Sequence, residues 1–325
     1  MKATAKANVN IALIKYWGKR DEELILPTNN SLSLTLDGLY TTTTVHFKEE
    51  LTEDVFILDG KEETGEAKSR VVSFLDLIRE EANKKDLFAE ISSKNDVPTA
   101  AGFASSASGF AALAAAASKA IGLEVSEEEL SRITRRGSGS ACRSIYGGFA
   151  EWKMGEKDDG SDSYALPIAP KDHWDLRIAA VILTDKEKSV SSREGMKRTV
   201  DTSAFFEAWV ESNPADLQAI KEGIQARDFK KVGEIAESNC LKMHATTLGA
   251  KPPFTYWTDA SMKIMQEIQG MRNEGIPAYF TIDAGPNVKV LYLPEFEERI
   301  VERLKKINEV TDITLSKAGD GITYL

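Results

Sequence analysis

The stretch PTAAGFASSASG, Pro98 to Gly109, holds a single large side chain, Phe103. It runs directly into FAALAAAASKAI, which reads as a helix from Phe110. Small residues ahead of a helix let backbone N–H groups come close to a bound anion. The unpaired amides of the first turn and the helix dipole then favour a phosphate. Ser105, Ser106 and Ser108 add hydroxyl donors, which can also reach a magnesium ion. This is not a Walker A loop, because Gly102 is not followed by Gly-Lys-[Ser/Thr]. Any lysine that neutralises phosphates must come from elsewhere in the chain. The same composition also suits an Ala-rich helix packed tightly on a sheet, so the neighbouring segments have to decide.

Upstream, Val9 to Lys15 is apolar and partly β-branched. Leu32, Leu34 and Leu36 alternate with Ser31, Ser33 and Thr35, the period of a half-buried strand. Thr-rich Tyr40 to Phe47 continues it, with Asp37-Gly38 between the two as a hairpin signal. Val71, Val72, Phe74, Leu75, Leu77 and Ile78 set a helical period over 67–83, and Leu87 to Ser92 returns as a strand. Downstream, Gly122 supplies a stop, and Ser126-Glu-Glu-Glu129 fits a capping box for the next helix. Leu176 to Thr184 reads as a strand buried on both faces. Residues 203–273 are mostly helical, with a break at Lys251-Pro-Pro253. Ala278 to Asp283 and Val288 to Leu293 read as strands around Ala284-Gly-Pro286. A helix over 295–308 and a short β segment around Gly319-Asp-Gly321 complete the chain. The class is α+β in two lobes, 1–187 and 188–325, divided where the composition changes.

At 325 residues and 42% hydrophobic content the chain can bury a full core. A net charge of -10 argues against tracking a nucleic-acid backbone, while leaving room for a local basic pocket. Cys142 and Cys240 are too few for a disulfide framework and point to a reducing compartment. There is no CxxC, and His46, His173 and His244 are far apart, so no zinc site is read. The N-terminal MKATAKANVNIALIKYWGK has too short an apolar run for a signal peptide. The Ala-rich run after Gly109 is broken by Ser118 and Lys119 and falls short of a membrane span. The expectation is a soluble cytoplasmic protein with neither nucleic acid nor membrane as partner.

Four further clusters bear on chemistry. RRGSGSACR, Arg135 to Arg143, sets three arginines around two Gly-Ser pairs. Glycine opens the backbone, serine donates hydrogen bonds, and arginine forks grip carboxylate or phosphate. The alternative is a flexible loop paired with the acidic surface. NIALIKYWGK, Asn10 to Lys19, puts Lys15, Tyr16 and Lys19 at a strand end beside a glycine turn. KEKSVSSR, Lys186 to Arg193, is again cationic and hydroxyl-rich. In DAGPN, Asp283 to Asn287, an aspartate closes an apolar strand. Aspartate there is most often a turn former. In a cationic site it can instead handle a substrate hydroxyl proton.

Taken together, NIALIKYWGK (10–19), NSLSLTL (30–36), PTAAGFASSAS (98–108), RRGSGSACR (135–143), YGGFAEW (146–152), SSREGM (191–196) and FTIDAGPN (280–287) resemble the diphosphomevalonate decarboxylase family of the GHMP kinase superfamily. The matches span nearly the whole chain in order. Phe103 departs from the Leu expected in the loop. The resemblance implies the two-lobed GHMP kinase fold, with an N-terminal lobe like the second domain of ribosomal protein S5 and a ferredoxin-like C-terminal lobe. It implies an ATP- and magnesium-dependent decarboxylation of mevalonate 5-diphosphate through its 3-phosphate, in a cleft between the lobes. By motif match Asp283 faces the tertiary hydroxyl, and Lys188 is the lysine at the transferred phosphoryl. Ala101, Gly102, Ala104, Ser105, Ser106 and Ser108 would hold the nucleotide. Tyr16, Lys19, Ser191, Ser192 and Arg193 would hold the diphosphate, and Ser138, Ser140 and Arg143 the carboxylate. Enzymes of this kind often pair, so a homodimer is expected. Alternatives are a mevalonate 5-phosphate decarboxylase, a mevalonate 3-kinase, or a non-catalytic sensor of the same fold. A serine hydrolase is disfavoured because no G-x-S-x-G is present.

Overall fold

A computed structural model describes residues 1–96, 105–183 and 190–325. In chain order, β1 (Lys2–Ile14) is followed by the short strands β2 (Lys19–Asp21) and β3 (Leu26–Pro27), then by β4 (Ser31–Lys48). Next come β5 (Val55–Leu58), β6 (Lys61–Glu62), α1 (Gly65–Glu81), β7 (Phe88–Asp96) and α2 (Ser105–Ile121). They lead into α3 (Glu127–Gly137), a 3-10 turn (Gly139–Ile145), β8 (Phe149–Trp152) and β9 (Ala165–Ala169). The remainder is β10 (Arg177–Ile182), α4 (Ser192–Thr202), α5 (Phe206–Ala226), α6 (Phe229–Leu248), α7 (Asp259–Asn273), β11 (Tyr279–Ile282), β12 (Val288–Tyr292), α8 (Glu297–Lys305), β13 (Asp312–Lys317) and β14 (Thr323–Tyr324).

The larger sheet runs β14-β1-β4-β7-β5-β6, with β8 pairing β4 and β9 pairing β8. One of its faces packs on α2, whose Ala111, Ala112 and Ala114 to Ala117 are fully buried against Ala5, Ala7, Val45 and Ile91. The alanines of α2 therefore serve close helix–sheet approach. The other face, with Val9, Ile11, Leu13, Leu32, Leu34 and Leu36, packs on the second lobe through Ile178, Ile220 and Phe229. Asp37-Gly38 does not turn a hairpin. β4 is one continuous strand, and β1 pairs with both of its halves, Asn10 opposite Thr35 and Asn8 opposite Tyr40. Residues 36–39 bulge out instead, with Asp37 and Gly38 exposed and Gly38 at φ +76°. A long partner strand spanning both halves wins over the local turn signal. The Ser126–Glu129 capping box forms as expected.

The smaller sheet is antiparallel, in the order β11-β12-β10-β13. β10, read from sequence on the N-terminal side of a division at 187/188, pairs with β12 and β13 and so lies in this second sheet. Its continuous burial suits a central strand covered on both faces, and periodicity cannot say which sheet supplies the neighbours. The chain then returns to the first lobe. Ala318 bridges Leu36, residues 319–321 pass against the backbone of Gly147, and β14, rather than Gly319–Gly321 itself, pairs with Ala5 and Lys6. Trp17 from the first lobe joins Met196, Phe206, Trp209, Met243 and Tyr256 in an apolar cluster beside the cleft. Among the described residues no helix is long and apolar enough to cross a membrane.

Candidate active site

β1 ends in the apolar run Ile11–Ile14, and its pairing with β4 stops at Ile14 opposite Leu32. Lys15 to Lys19 then turn away across the interlobe cleft. Trp17 is driven into the apolar cluster and donates its indole N–H to Thr199 Oγ1 at 2.9 Å. Gly18 sits at φ +101°, and a Cβ there would lie 2.5 Å from the Phe206 ring, so only glycine fits the turn. These constraints place Lys15, Tyr16 and Lys19 on a cavity of about 390 Å³. The 3-10 turn supplies the facing wall, with Ser138, Ser140 and Arg143. A Cβ on Gly139 would meet the Trp152 ring at 2.7 Å, so the turn lies directly on the core. Ser106 of α2, and Ser191, Ser192 and Arg193 at the start of α4, line the same cavity as Asp283.

Asp283 follows β11 on a loop that both flanks hold. Ser261 Oγ donates to Pro286 O at 2.7 Å, and Leu183 N–H donates to Asn287 Oδ1 at 2.9 Å. The aspartate side chain is 33% exposed and lines the cavity. Lys15 Nζ donates to its Oδ1 at 2.6 Å, and Lys289 Nζ lies 3.7 Å from Oδ2. Burial raises the carboxyl's pKa. Lys15 and Lys289 outweigh that, with help from the Lys15 hydrogen bond and Arg143, and hold it well below the usual carboxylate range. The group is ionised at any physiological pH and is a weak proton acceptor. It suits orienting a hydroxyl and stabilising positive charge better than strong base catalysis.

Arg143 is fully buried. Its Nε donates to Ser33 Oγ at 2.9 Å, Nη1 to Ser31 Oγ, and Nη2 to Asn10 Oδ1 at 3.2 Å. One N–H on each Nη remains for the cavity. The serines that give β4 its alternation thus hold an arginine, not water.

Towards the mouth, Lys19 Nζ pairs with Glu22. Ser191 caps α4 by accepting from Glu194 N–H at 3.1 Å. Arg193 is exposed. The Tyr16 hydroxyl is buried and has no hydrogen-bond partner, and burial pushes its pKa above the ordinary phenol range. It is a neutral O–H donor facing a cationic cavity, where an anionic oxygen would satisfy it.

Ten of the residues singled out in the sequence therefore share one cavity: Tyr16, Lys19, Ser106, Ser138, Ser140, Arg143, Ser191, Ser192, Arg193 and Asp283. Ser108 does not line it, being fully buried with its Oγ 2.8 Å from Thr41 Oγ1. Ser105 begins α2. Lys188, Ala101, Gly102 and Ala104 lie outside the described residues. Arg135, from the same motif as Arg143, bonds to the carbonyls of Leu24, Gly160 and Ser163 and ties down the 153–163 segment instead. Lining or flanking residues given no role in sequence include Lys15, Asn10, Arg70 and Lys289. Lys289 carried a signal, as a lysine inside the apolar run VKVLY, and lysine is seldom buried without a partner. Arg70 lines the mouth from the polar side of α1, where nothing local marks it.

Among the described residues no group of three or more His, Cys, Asp or Glu could hold a metal ion. Magnesium commonly binds through substrate phosphates with few protein ligands. The donor set fits an ion arriving with a nucleotide, with Ser106 as the α2 hydroxyl on the cavity.

Two lobes meeting over a cleft of hydroxyl and cationic groups around Asp283 make this an enzyme of the GHMP kinase type. Residues 7–165 match the Diphosphomevalonate decarboxylase-like N-terminal domain, and residues 178–320 the Mevalonate 5-diphosphate decarboxylase C-terminal domain. The chain belongs to the diphosphomevalonate decarboxylase family. The diphosphomevalonate decarboxylase of Ganoderma lucidum is 42% identical, over 94% of this chain and 81% of that one. The mevalonate diphosphate decarboxylase structure from Staphylococcus aureus is 45% identical with a TM-score of 0.95, covering 100% of this chain and 98% of that one. A structure of MDDEF in complex with MVAPP, AMPPCP and magnesium is 49% identical with a TM-score of 0.94, covering 100% of this chain and 99% of that one.

Proposed function

We propose that this enzyme uses ATP to decarboxylate mevalonate 5-diphosphate, releasing isopentenyl diphosphate, ADP, phosphate and carbon dioxide. The tertiary 3-hydroxyl oxygen attacks the γ-phosphorus as the bond to ADP breaks, and its proton passes out through the carboxylate of Asp283 to solvent. The C3–O bond then breaks with its electron pair leaving on phosphate. The C1–C2 bond breaks in turn, its pair becomes the C2=C3 double bond, and carbon dioxide departs. Magnesium bound with the nucleotide supplies charge neutralisation on the phosphates.

Asp283 orients the hydroxyl and, being ionised, offsets positive charge growing at C3. The two remaining N–H groups of Arg143, with Ser138 and Ser140, take the substrate carboxylate. Tyr16, Lys19, Ser191, Ser192 and Arg193 take the diphosphate. Lys188 and the 101–104 backbone complete the nucleotide side in this reading. The observation that carries it is Asp283, bonded to Lys15, in one cavity with Ser106 and both sets of anion-binding groups.

The test is a paired assay with ATP and magnesium, following carbon dioxide, ADP and phosphate from mevalonate 5-diphosphate and from the 5-monophosphate. Equal release of all three from the diphosphate is expected. Carbon dioxide from the monophosphate alone would overturn the substrate, and ADP without carbon dioxide would make the enzyme a 3-kinase.

A further inference from the structure

The Lys15–Asp283 pair joins two lobes through residues 268 positions apart, and the helix behind it is α6. The backbone N–H of Lys15 lies just beyond the end of β1, so the sheet gives it no partner. It donates instead to Asn239 Oδ1 at 2.8 Å. The next residue of α6, Cys240, accepts from Ile282 N–H at 3.1 Å and donates to Ile282 O at 3.3 Å, directly before Asp283. One turn on, His244 Nε2 lies 3.2 Å from the same carbonyl. One helix thus grips the backbone on both sides of the ion pair.

Asn239 is fully buried, and its amide can serve Lys15 in one orientation only. That orientation is set from outside: Asn239 Nδ2 donates to Asp216 Oδ2 at 2.9 Å. Lys242 Nζ in turn holds both Asp216 oxygens, at 2.9 and 2.8 Å. We infer that Asn239 is a positioning residue for the reaction, fixed by Asp216, which sets Lys15 against Asp283 and so keeps the carboxylate aimed at the hydroxyl. This rests on the reading of Asp283 above, and it extends the working site to residues that never touch substrate.

Displacing Lys15 weakens the cation nearest Asp283, so the carboxyl titrates at higher pH. The other groups facing it are Lys289 from β12, Arg143 from the 3-10 turn, and the neutral Cys240 and His244 from α6, none of which the substitution alters.

The experiment compares wild type, Asn239→Ala and the double variant Asn239→Asp/Asp216→Asn, which exchanges amide and carboxylate, keeps an acceptor for the Lys15 N–H and the bond between 216 and 239, and leaves Lys242 one of its two acceptors. Steady-state kinetics and the carboxyl titration of Asp283, followed by 13C NMR in the substrate-free protein, are read for each. Asn239→Ala is expected to lose about tenfold or more in kcat, with KM for both substrates within about threefold, since small misplacement of reacting groups is costly. Its Asp283 titration and the acid limb of kcat should move to higher pH. The exchange should restore most of kcat, because Lys15 is held in place again, while its added carboxylate leaves the Asp283 titration above the wild-type position. Leu304→Ala, a core variant that does not line the cavity, controls for lost stability. If Asn239→Ala does not fold, Asn239→Ser, too short to reach Lys15, serves in its place with the same expected split. Unchanged kcat and titration, or the same changes in Leu304→Ala at equal Tm, would overturn the inference. Wild type that releases no carbon dioxide would count against the proposed function alone, because the NMR comparison reads the pair without turnover.

Discussion

At the closed end of the cleft, Lys15, Arg143 and Asp283 are bonded into protein on several sides. At the mouth, Arg70 and Arg193 are exposed, the Tyr16 hydroxyl has no partner, and Lys19 is held by the exposed Glu22. The closed end has its charges set before any ligand arrives, which is what stabilising a transition state without reorganisation requires. The mouth keeps its charges available for a ligand that brings its own. Substitutions at the closed end should therefore act on kcat with little salt dependence. Those at the mouth should act on KM and weaken as salt screens exposed charges.

The sharpest way to break this contrast is Asp283→Asn, which keeps shape and removes charge. We expect kcat to fall by about a thousandfold or more while nucleotide affinity in equilibrium titration stays near wild type, since an interaction made mainly in the transition state is lost. A near-normal kcat would remove Asp283 from the chemistry.

The closed end also carries a stability cost that the mouth does not. Burial, aided by the Lys15 and Lys289 cations and opposed by the Ile282 carbonyl, lowers the His244 pKa from 6.5 to about 4. The unfolded chain therefore binds the proton first as pH falls. Stability should drop between pH 6.5 and 4 by roughly 3 kcal/mol. Denaturant unfolding of His244→Gln across that window should show a flatter profile. Asp283 adds to the loss only below its ordinary value of 3.8, because its folded pKa is depressed.

Arg143→Lys keeps the charge but cannot reach Ser31, Ser33 and Asn10 together, and a loss of about a hundredfold in kcat/KM is expected. At the mouth, Arg193→Ala should raise KM for the diphosphate substrate about tenfold at low salt and less in high salt. The smallest change is Glu22→Gln. It releases Lys19 from its internal partner, and KM should fall by about twofold, as befits an ion pair whose acidic partner is exposed. A rise in KM would instead make Glu22 a positioning group for Lys19.

Much of the site was legible because its residues cluster in short motifs whose types have few other uses together. Asp283 was found as a carboxylate at the end of an apolar strand, and Ser138, Ser140 and Arg143 as a Gly-Ser loop with arginine. Residue types alone do not tell Arg135 from Arg143; the family resemblance is what names Arg143. Both are buried, but one reaches the carbonyls of a neighbouring loop and the other the cleft. Asp37-Gly38 reads as a hairpin because a turn signal is local, whereas the β1 strand that overrides it lies elsewhere in the chain.

Residue order alone settled the α+β class, the small-residue approach to α2 and the chemical types lining the cleft. Periodicity and composition report which faces are buried and which atoms are on offer. They do not say what covers a buried face. That Ser31 and Ser33 hold Arg143, that β10 joins the second sheet, and that Lys15 and Lys289 share Asp283 all depend on contacts between distant segments. Most of those contacts exist only once each lobe has folded, and the Lys15–Asp283 pair only once the two lobes meet.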